Sequence, residues 1–539
     1  MTQPFTLALR GATFHLPNGE PLFRDLDERF DGVHTALVGR NGVGKSQLAR
    51  MLAGELHPSS GHCLRQGRIH YLPQRLEPQR YPSVAALAGV QAELDALARI
   101  ERGDVRADDL DRLDGRWDIR QRLEAALAAA GLEHLAVDTP CVRLSGGECT
   151  RVALLGAWLS DADCLILDEP SNHLDRPARE DLREHLQRWP GGLLLISHDR
   201  LLLEDMPRFV ELSPHGLRAY SGGYARYREA REQEQGAAER ELQRRKLERQ
   251  REVRDLRQQA ERQAQRQAQG RRQAQEANQA KILLGRQKAR SDNSSGRLAE
   301  RHAARRGQLD AAVQQAFAQL PESHEVYLQV PASELPEGRQ VLLFDDLRVP
   351  GGTCEVPLRL TLAGPQRVAL IGPNGCGKSR LLKVLAGELA PLSGSCRVNV
   401  PFAYLDQHLA HLDGERSVIE LLGERAPATG EAQLRTRLAQ LGLPAGRIDL
   451  PLALLSGGER VRAALACALY REQPAQLLLL DEPDNHLDLT AQAALEQLLQ
   501  QYRGALLVAS HDEAFLAALG LDGRLCKHAT GWQWQPVHR

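Results

Sequence analysis

Gly39-Arg40-Asn41-Gly42-Val43-Gly44-Lys45-Ser46 stands between an apolar run, Ala36-Leu37-Val38, and a stretch with helical spacing, QLARMLAGEL. The eight residues fit the pattern GxxxxGK[ST] in the strand-then-helix setting that gives the pattern meaning. Each residue type has a task. Glycines let successive backbone N–H groups curl around a β-phosphate, Lys45 reaches the β and γ oxygens, and Ser46 offers its hydroxyl to Mg²⁺ at a helix N-terminus. The stretch predicts a nucleotide phosphate cradle in an α/β domain rather than a glycine-rich turn with an incidental lysine.

Companion motifs follow downstream. Leu144-Ser145-Gly146-Gly147-Glu148 puts a serine and two glycines at the start of a helical run, a second helix N-terminus suited to anions, although the same residues would serve as a plain N-cap. The apolar strand CLIL ends in Asp168 and Glu169, one carboxylate to hold Mg²⁺ and the other to orient and polarise an attacking water. A further apolar run, Leu193 to Ile196, ends at Ser197-His198-Asp199, where His198 is a polar partner for a γ-phosphate. Gln74 closes the strand-like RIHYLPQ and carries no weight alone.

The second half repeats all of it. Gly372-Pro373-Asn374-Gly375-Cys376-Gly377-Lys378-Ser379 is the phosphate loop, Gln407 ends FAYLDQ, Ser456-Gly457-Gly458-Glu459 repeats the serine-glycine turn, and Asp481, Glu482 and His511 complete the set. The spacing agrees closely. Lys45 to Gln74 and Lys378 to Gln407 are both 29 residues; Asp168 to His198 and Asp481 to His511 are both 30. Such agreement implies a duplicated domain. One interval differs: Gln74 to Ser145 is 71 residues and Gln407 to Ser456 is 49, so the first half carries 22 extra residues. They are expected within 85–116 as an added helical hairpin, with a lengthened loop as the alternative.

These motifs, in this order, resemble the ATP-binding cassette ATPases. The resemblance implies two P-loop ABC ATPase domains with mixed sheets and helical subdomains. It also implies head-to-tail packing, so that each ATP is held between one copy's phosphate loop and the other copy's LSGGE turn. One site would pair Lys45, Asp168, Glu169 and His198 with Ser456 and Gly458; the other would pair Lys378, Asp481, Glu482 and His511 with Ser145 and Gly147. Mg²⁺ would be held by Ser46, Asp168 and Gln74, and by Ser379, Asp481 and Gln407. Phe14 is expected to stack on adenine in the first copy, and no equivalent is evident near 347–350.

Between the copies lies a stretch of arginine and glutamine. Over 231–310, Lys and Arg number 21 and Asp and Glu 12, a net charge of +9 in a chain whose total is −1. The segment is too polar to make a globule, yet it is rich in strong helix formers. It predicts a long helical hairpin: a helix over 224–269 of ~69 Å, bends at Gly270 and Gly285, a turning tip at 281–296 with Ile282, Leu283 and Leu284 apolar within it, and a return over 297–320 whose Leu309, Val313, Phe317 and Leu320 form a packing seam. Past Arg262 the balancing acids become sparse, and Arg266, Arg271, Arg272, Lys281, Arg286, Lys288 and Arg290 are the candidates for RNA phosphates. A solvated helix surface is the plain alternative. The boundaries expected are 1–223, 224–320 and 321–539.

Two cassettes joined by a basic helical linker, with SNHLD and DNHLD after the carboxylate strands, resemble cassette family F. That resemblance implies an ATPase that enters the ribosomal tRNA exit site when ATP-bound, aims its linker at the peptidyl-transferase region near rRNA and P-site tRNA, and relieves stalling or displaces antibiotics. A DNA-associated cassette ATPase and a transporter motor are the alternatives. No run of 18 apolar residues and no signal-peptide layout are present, so a cytoplasmic, monomeric protein without membrane or permease partner is expected. The nine cysteines include no CxxC pair and are expected to be reduced.

If about six of the linker cations meet phosphates, RNA affinity falls on the order of 10³-fold between low and moderate salt. Replacing the arginines beyond Arg262 with glutamine is expected to flatten that salt dependence in a co-sedimentation series while leaving nucleotide binding unchanged.

Overall fold

The computed structural model describes residues 5–30, 32–276, 301, 303–316, 333–351, 356–407, 409–528 and 530–537. They form two units: Met1–Ala225 together with His324–Arg539, and Arg226–Ser323.

The first unit contains the same α/β plan twice. In the first copy a six-stranded sheet runs in the order Ile69–Leu72, Cys164–Asp168, Gly192–Ile196, Thr35–Val38, Arg208–Ser213, Gly216–Ser221. Its neighbours are parallel except for the last pair. The second copy repeats the order with Phe402–Leu405, Leu477–Asp481, Ala505–Ala509, Arg367–Ile371, Gly523–His528 and Gly531–Pro536. Parallel strands covered on both faces read as unbroken apolar runs. Accordingly CLILD, GLLLI, LLLLD and ALLVA are buried along their whole length. A three-stranded antiparallel sheet accompanies each: Thr6–His15 between Pro21–Arg29 and Ser60–Gln66, and Gln340–Arg348 between Leu358–Ala363 and Ser393–Val398.

The copies differ in their helical regions. Ser83 caps Val84–Leu87 and Ser417 caps Val418–Arg425, and each is followed later by a helix, Ile119–Ala129 or Glu431–Gln440. Only between the first pair do two further helices intervene, Gln91–Glu101 and Asp109–Leu113. The extra residues of the first half therefore form a helical hairpin. Arg99 is paired with the buried Asp109, Arg116 Nη2 lies 3.0 Å from Glu93 Oε1, and Leu94, Ala96 and Leu113 are buried.

In the second unit the outgoing helix belongs to Gly223–Glu276, 54 residues long. The helix continues past Gly270, because an interior glycine costs a helix only about 1 kcal/mol relative to alanine. A returning helix spans 303–316. Arg249 Nε is 2.6 Å from Asp310 Oδ1 and Arg305 Nε is 3.2 Å from Glu252 Oε1, tying the two helices together. Half-exposed pairs of this kind contribute little, up to about 1 kcal/mol each. The more telling contact is apolar: Leu309 of the expected seam is buried and Val313 half-buried. Phe317, Leu320, Lys281, Ile282, Leu283, Leu284, Gly285, Arg286, Lys288 and Arg290 lie outside the described residues, as do the side chains of Arg266, Arg271 and Arg272.

Gly156 shows how tightly the first copy's helices pack. A Cβ there would sit 2.4 Å from the Ala88 carbonyl oxygen, which is backbone and has little room to give. Gly156→Ala is expected to destabilise the first copy by about 1–3 kcal/mol, seen as a lower unfolding midpoint in chemical denaturation.

Candidate nucleotide sites between the two copies

Each phosphate loop starts where an apolar strand stops. Gly44 (φ 104°) and Gly377 (φ 103°) occupy the left-handed region that glycine favours and cap the helices Lys45–Ala53 and Lys378–Ala386. Lys45 Nζ donates to the carbonyls of Gly39 at 2.6 Å and Arg40 at 3.0 Å; Lys378 Nζ donates to Gly372 at 2.8 Å and Pro373 at 3.3 Å. The ammonium thus lies back across its own loop. Because Ile69–Leu72, Cys164–Asp168, Gly192–Ile196 and Thr35–Val38 are adjacent and parallel, their carboxyl ends bring Gln74, Asp168, Glu169, His198 and the loop to one edge. In open α/β sheets that edge is where ligands bind.

Glu169 (φ 52°) and Glu482 (φ 49°) both adopt the left-handed conformation, uncommon for a residue with a side chain. Their backbone N–H groups are held by the Ile196 and Ala509 carbonyls, each at 2.8 Å. The same bond in both copies turns the glutamate side chain away from its strand.

Burial dominates the electrostatics. It raises Asp168 and Asp481 and pushes Glu169 up to about 8, while it lowers Lys45 and Lys378. His198 and His511 are both pushed down to about 3, first by burial and then by the neighbouring Lys45 and Lys378. Neutral imidazoles result. Accordingly Lys378 Nζ donates to His511 Nε2 at 2.9 Å. His198 Nε2 lies 3.4 Å from Glu169 Oε1 and His511 Nε2 lies 3.7 Å from Glu482 Oε1.

Both oxygens of Asp168 are buried without a hydrogen bond of good geometry, although the Ser46 and Tyr71 hydroxyls are near enough to favour its ionised form. Such orphaned oxygens, grouped with Ser46 and Gln74, fit a hard divalent cation that takes its remaining ligands from phosphate and water. Among the described residues no group of three or more His, Cys, Asp or Glu is disposed to hold a metal, so a purely protein-made metal cage is not seen there. In the second copy Tyr404 donates its hydroxyl to Asp481 Oδ2 at 3.4 Å.

The copies meet loop to loop. Asn41 donates its backbone N–H to Asp488 Oδ2 at 2.9 Å and its side-chain amide to the His486 carbonyl at 2.8 Å. Asn374 does the same to Asp175 Oδ2 at 3.2 Å and to the His173 carbonyl at 2.7 Å. The His173 and His486 rings stand edge to face, centroids 5.9 Å apart, between the two exchanges. Arg176 reaches Glu513 at 2.6 Å, and Arg200 reaches Glu496 at 2.8 Å.

Ser145 and Ser456 each close a capping box with Glu148 or Glu459, so the N-cap role is real in both copies. It does not exhaust the motif. A Cβ on Gly147 would lie 2.9 Å from the His173 carbonyl and 3.8 Å from Asn374 Nδ2, which places this glycine against the opposing phosphate loop. A cavity of about 380 Å³ is lined by Asn41, Gly42, Gly44, Lys45, Ser46, Gln74, Asp168, Glu169 and His198 from one copy and by Glu482, His486 and His511, among others, from the other. Ser456 and Gly458 are not part of that lining; a Cβ on the intervening Gly457 would lie 3.6 Å from the carbonyl of His486, a residue of the lining. Nor are Gly39, Arg40, Val43 and Phe14 part of it. Phe14 is half-buried against Phe23, centroids 5.9 Å apart, and the pairing of Thr13 with Ser60 and Arg348 with Ser393 puts Val349 at its place in the second copy.

Four residues of the interface are unmarked by residue type alone: His173, Asp175, His486 and Asp488. Their signal was their offset, since Asp175 and Asp488 each stand seven residues after the strand-end aspartate.

Gly372 to Ser379, Gln407, Asp481, Ser145 and Gly147 also lie outside the cavity lining; the duplicated fold, its two phosphate loops and this cleft define a twin P-loop nucleotidase. The family model described as "ABC transporter" matches residues 29–172 and 357–485. The chain belongs to that family, as a twin-cassette member of its F branch, and is an ATP-binding, ATP-hydrolysing protein. It is 32% identical over 506 residues to the tylosin resistance ATP-binding protein TlrC of Streptomyces fradiae, covering 89% of this chain and 90% of that one. It is 30% identical over 556 residues to the energy-dependent translational throttle protein EttA of Mycobacterium tuberculosis, covering 94% and 87%. Among solved structures, an archaeal ribosome recycling factor, aABCE1, shares the fold at a TM-score of 0.55 and 20% identity, covering 97% of this chain and 88% of that one.

Asn41→Ala and Asn374→Ala each remove the side-chain amide bond of one exchange and leave its backbone N–H bond in place. At about 0.5–1.5 kcal/mol per hydrogen bond, each is expected to weaken nucleotide-driven cassette closure roughly three- to tenfold. Cross-linking of cysteine pairs across the interface, with and without ATP, measures it.

Proposed function

We propose that the chain is an ATP-gated factor that binds the ribosome and acts on translation through its basic linker. The observation that carries this reading is the reciprocal contact of each phosphate loop with the opposite cassette's Asn-His-Leu-Asp turn, which makes nucleotide occupancy and cassette closure one event. Lys45, Lys378 and the glycines of their loops would bind the phosphates, with Arg40, Asn41, Val43, Pro373, Asn374 and Cys376 in the same loops. Glu169 and Glu482 would orient the water, and neutral His198 and His511 would face the γ-phosphate. Ser46, Gln74 and Asp168, with Ser379, Gln407 and Asp481, would hold Mg²⁺, which supplies charge neutralisation of the phosphates when bound. Ser145, Gly147, Ser456 and Gly458 would close on the opposite nucleotide, and Phe14 would flank the first adenine.

Translation as the arena follows from two relatives, one named a translational throttle and the other a tylosin resistance protein. The linker's charge points the same way, since 21 Lys and Arg against 12 Asp and Glu over 231–310 favours an RNA surface. Entry at the tRNA exit site, contact with rRNA and P-site tRNA, antibiotic protection, a monomeric state and a cytoplasmic location belong to this proposal. Among the described residues no helix is long and apolar enough to cross a membrane.

Glu169→Gln combined with Glu482→Gln is expected to bind ATP, fail to hydrolyse it and co-sediment with ribosomes in an ATP-dependent manner. A double variant that retains ATP yet stays in the ribosome-free fraction overturns the proposal. Stimulation of wild-type turnover by duplex DNA and not by ribosomes would favour a DNA-associated ATPase instead.

A further inference from the structure

The pseudo-twofold relation between the cassettes breaks at two neighbouring positions. Three residues after the strand-end aspartate, the first cassette has Ser171 and the second Asp484; eleven residues after it, the first has Arg179 and the second Gln492. All four side chains line the cavity between the cassettes, together with Asp199 and Asp512. Each departure alone would unbalance a buried site. Asp484 is 8% exposed; its Oδ2 accepts from Ser510 Oγ at 2.9 Å and its Oδ1 has no hydrogen-bond partner. Burial pushes its carboxyl up to about 7, Asp512 adds to the rise, and Ser510 and the Arg179 guanidinium of the other cassette oppose it. Arg179 donates from Nε to the Leu174 carbonyl at 3.0 Å, and its Nη1 lies 3.4 Å from Asp199 Oδ2. Asp199 and Asp484, carboxylates of opposite cassettes, therefore both lie within the influence of one guanidinium, while Arg200 faces Asp512; buried like charges do not coexist without such cations.

We propose that Arg179 and Asp484 form a charge relation across the cassette interface that the mirror-related pair, Gln492 and Ser171, lacks, so that closure is coupled more tightly to the second cassette's hydrolytic machinery than to the first's. The connection is short. Asp484 follows Glu482 by two residues, and Ser510, which donates to Asp484 and accepts the Asp512 N–H at 3.0 Å, adjoins His511. Arg179 is a positioning residue: it acts on Glu482 and His511 through Asp484 and Ser510. The first cassette's matching serine, Ser197, accepts the Asp199 N–H at 3.0 Å, but no carboxylate stands at the mirror position to carry the signal onward. The two ATP sites are thereby inequivalent.

This inference rests on the ATP-driven closure proposed above. A double-mutant cycle tests it, with closure read by cross-interface cysteine cross-linking in a non-hydrolysable ATP analogue. Arg179→Gln alone strands the carboxylates and is expected to weaken closure on the order of 100-fold. Adding Asp484→Ser is expected to recover most of that loss, to within about tenfold of wild type, the remainder coming from Asp199, which still lacks its Arg179 partner. Relocating the pair, with Ser171→Asp, Gln492→Arg, Arg179→Gln and Asp484→Ser together, is expected to exchange the sites. In wild type, turnover remaining in the Glu169→Gln background responds more steeply to Arg179→Gln than turnover in the Glu482→Gln background. In the relocated variant, leaving out the Gln492→Arg change is expected to reverse that order. Independent, multiplicative effects of Arg179→Gln and Asp484→Ser overturn the inference. The same cycle read by thermal unfolding without nucleotide keeps the coupling measurable whatever closure does. Wild type that fails to close with the analogue overturns the clasp, while closure without coupling overturns only the pair.

Discussion

The two cassettes are held together by an exchange of hydrogen bonds between loops far apart in sequence. Asn41 of one phosphate loop is held by Asp488 and His486, and Asn374 of the other by Asp175 and His173. The carboxylates that accept from these loops also cap the helices that follow them, since Asp175 and Asp488 take the N–H of Ala178 and Ala491. One side chain thus satisfies a helix end in its own cassette and a nucleotide loop in the other. Such double use is efficient in binding terms, because the acceptor is already fixed and loses little freedom on contact.

Around that exchange the cavity concentrates charge that water no longer screens. Glu169 pushed to about 8 and two histidines pushed to about 3 are opposite responses to one cause, removal from solvent. The consequence is a glutamic acid and two imidazoles that favour their neutral forms near neutral pH. Perturbed groups of this kind mark functional sites more often than structural ones. The departures from twofold symmetry at Ser171, Asp484, Arg179 and Gln492 lie in the same water-poor space, where a single charge is most strongly felt by its neighbours.

Much of this was legible in one dimension. The phosphate loops, the Asp-Glu strand ends, the histidines and the duplicate spacing could all be read because each depends on local backbone chemistry: a glycine where φ is positive, an apolar run where a strand is covered on both faces. The helical hairpin of the first cassette was legible as an interval, 22 residues in excess, and the long linker helix as a composition. Less legible was the fate of Gly270, where the helix continues because one glycine cannot outweigh the residues on either side. The role of Gly147 against the opposing loop was open to an N-cap reading, and the capping box shows that both readings describe the same turn.

Order of residues along the chain is enough to establish two nucleotide cassettes of the F branch, the loop, carboxylates and histidine that each keeps, and a cationic helix between them. Those are properties of runs and spacings, set by hydrogen bonding and burial within a few turns of chain. Packing in three dimensions alone settles which carbonyl meets which asparagine, that His173 and His486 stand edge to face, and that Arg179 and Asp484 of opposite cassettes line one cavity. Residues 199 to 447 positions apart in the chain have no local signal of their meeting; their pairing exists only once two sheets have folded and turned their carboxyl edges toward each other.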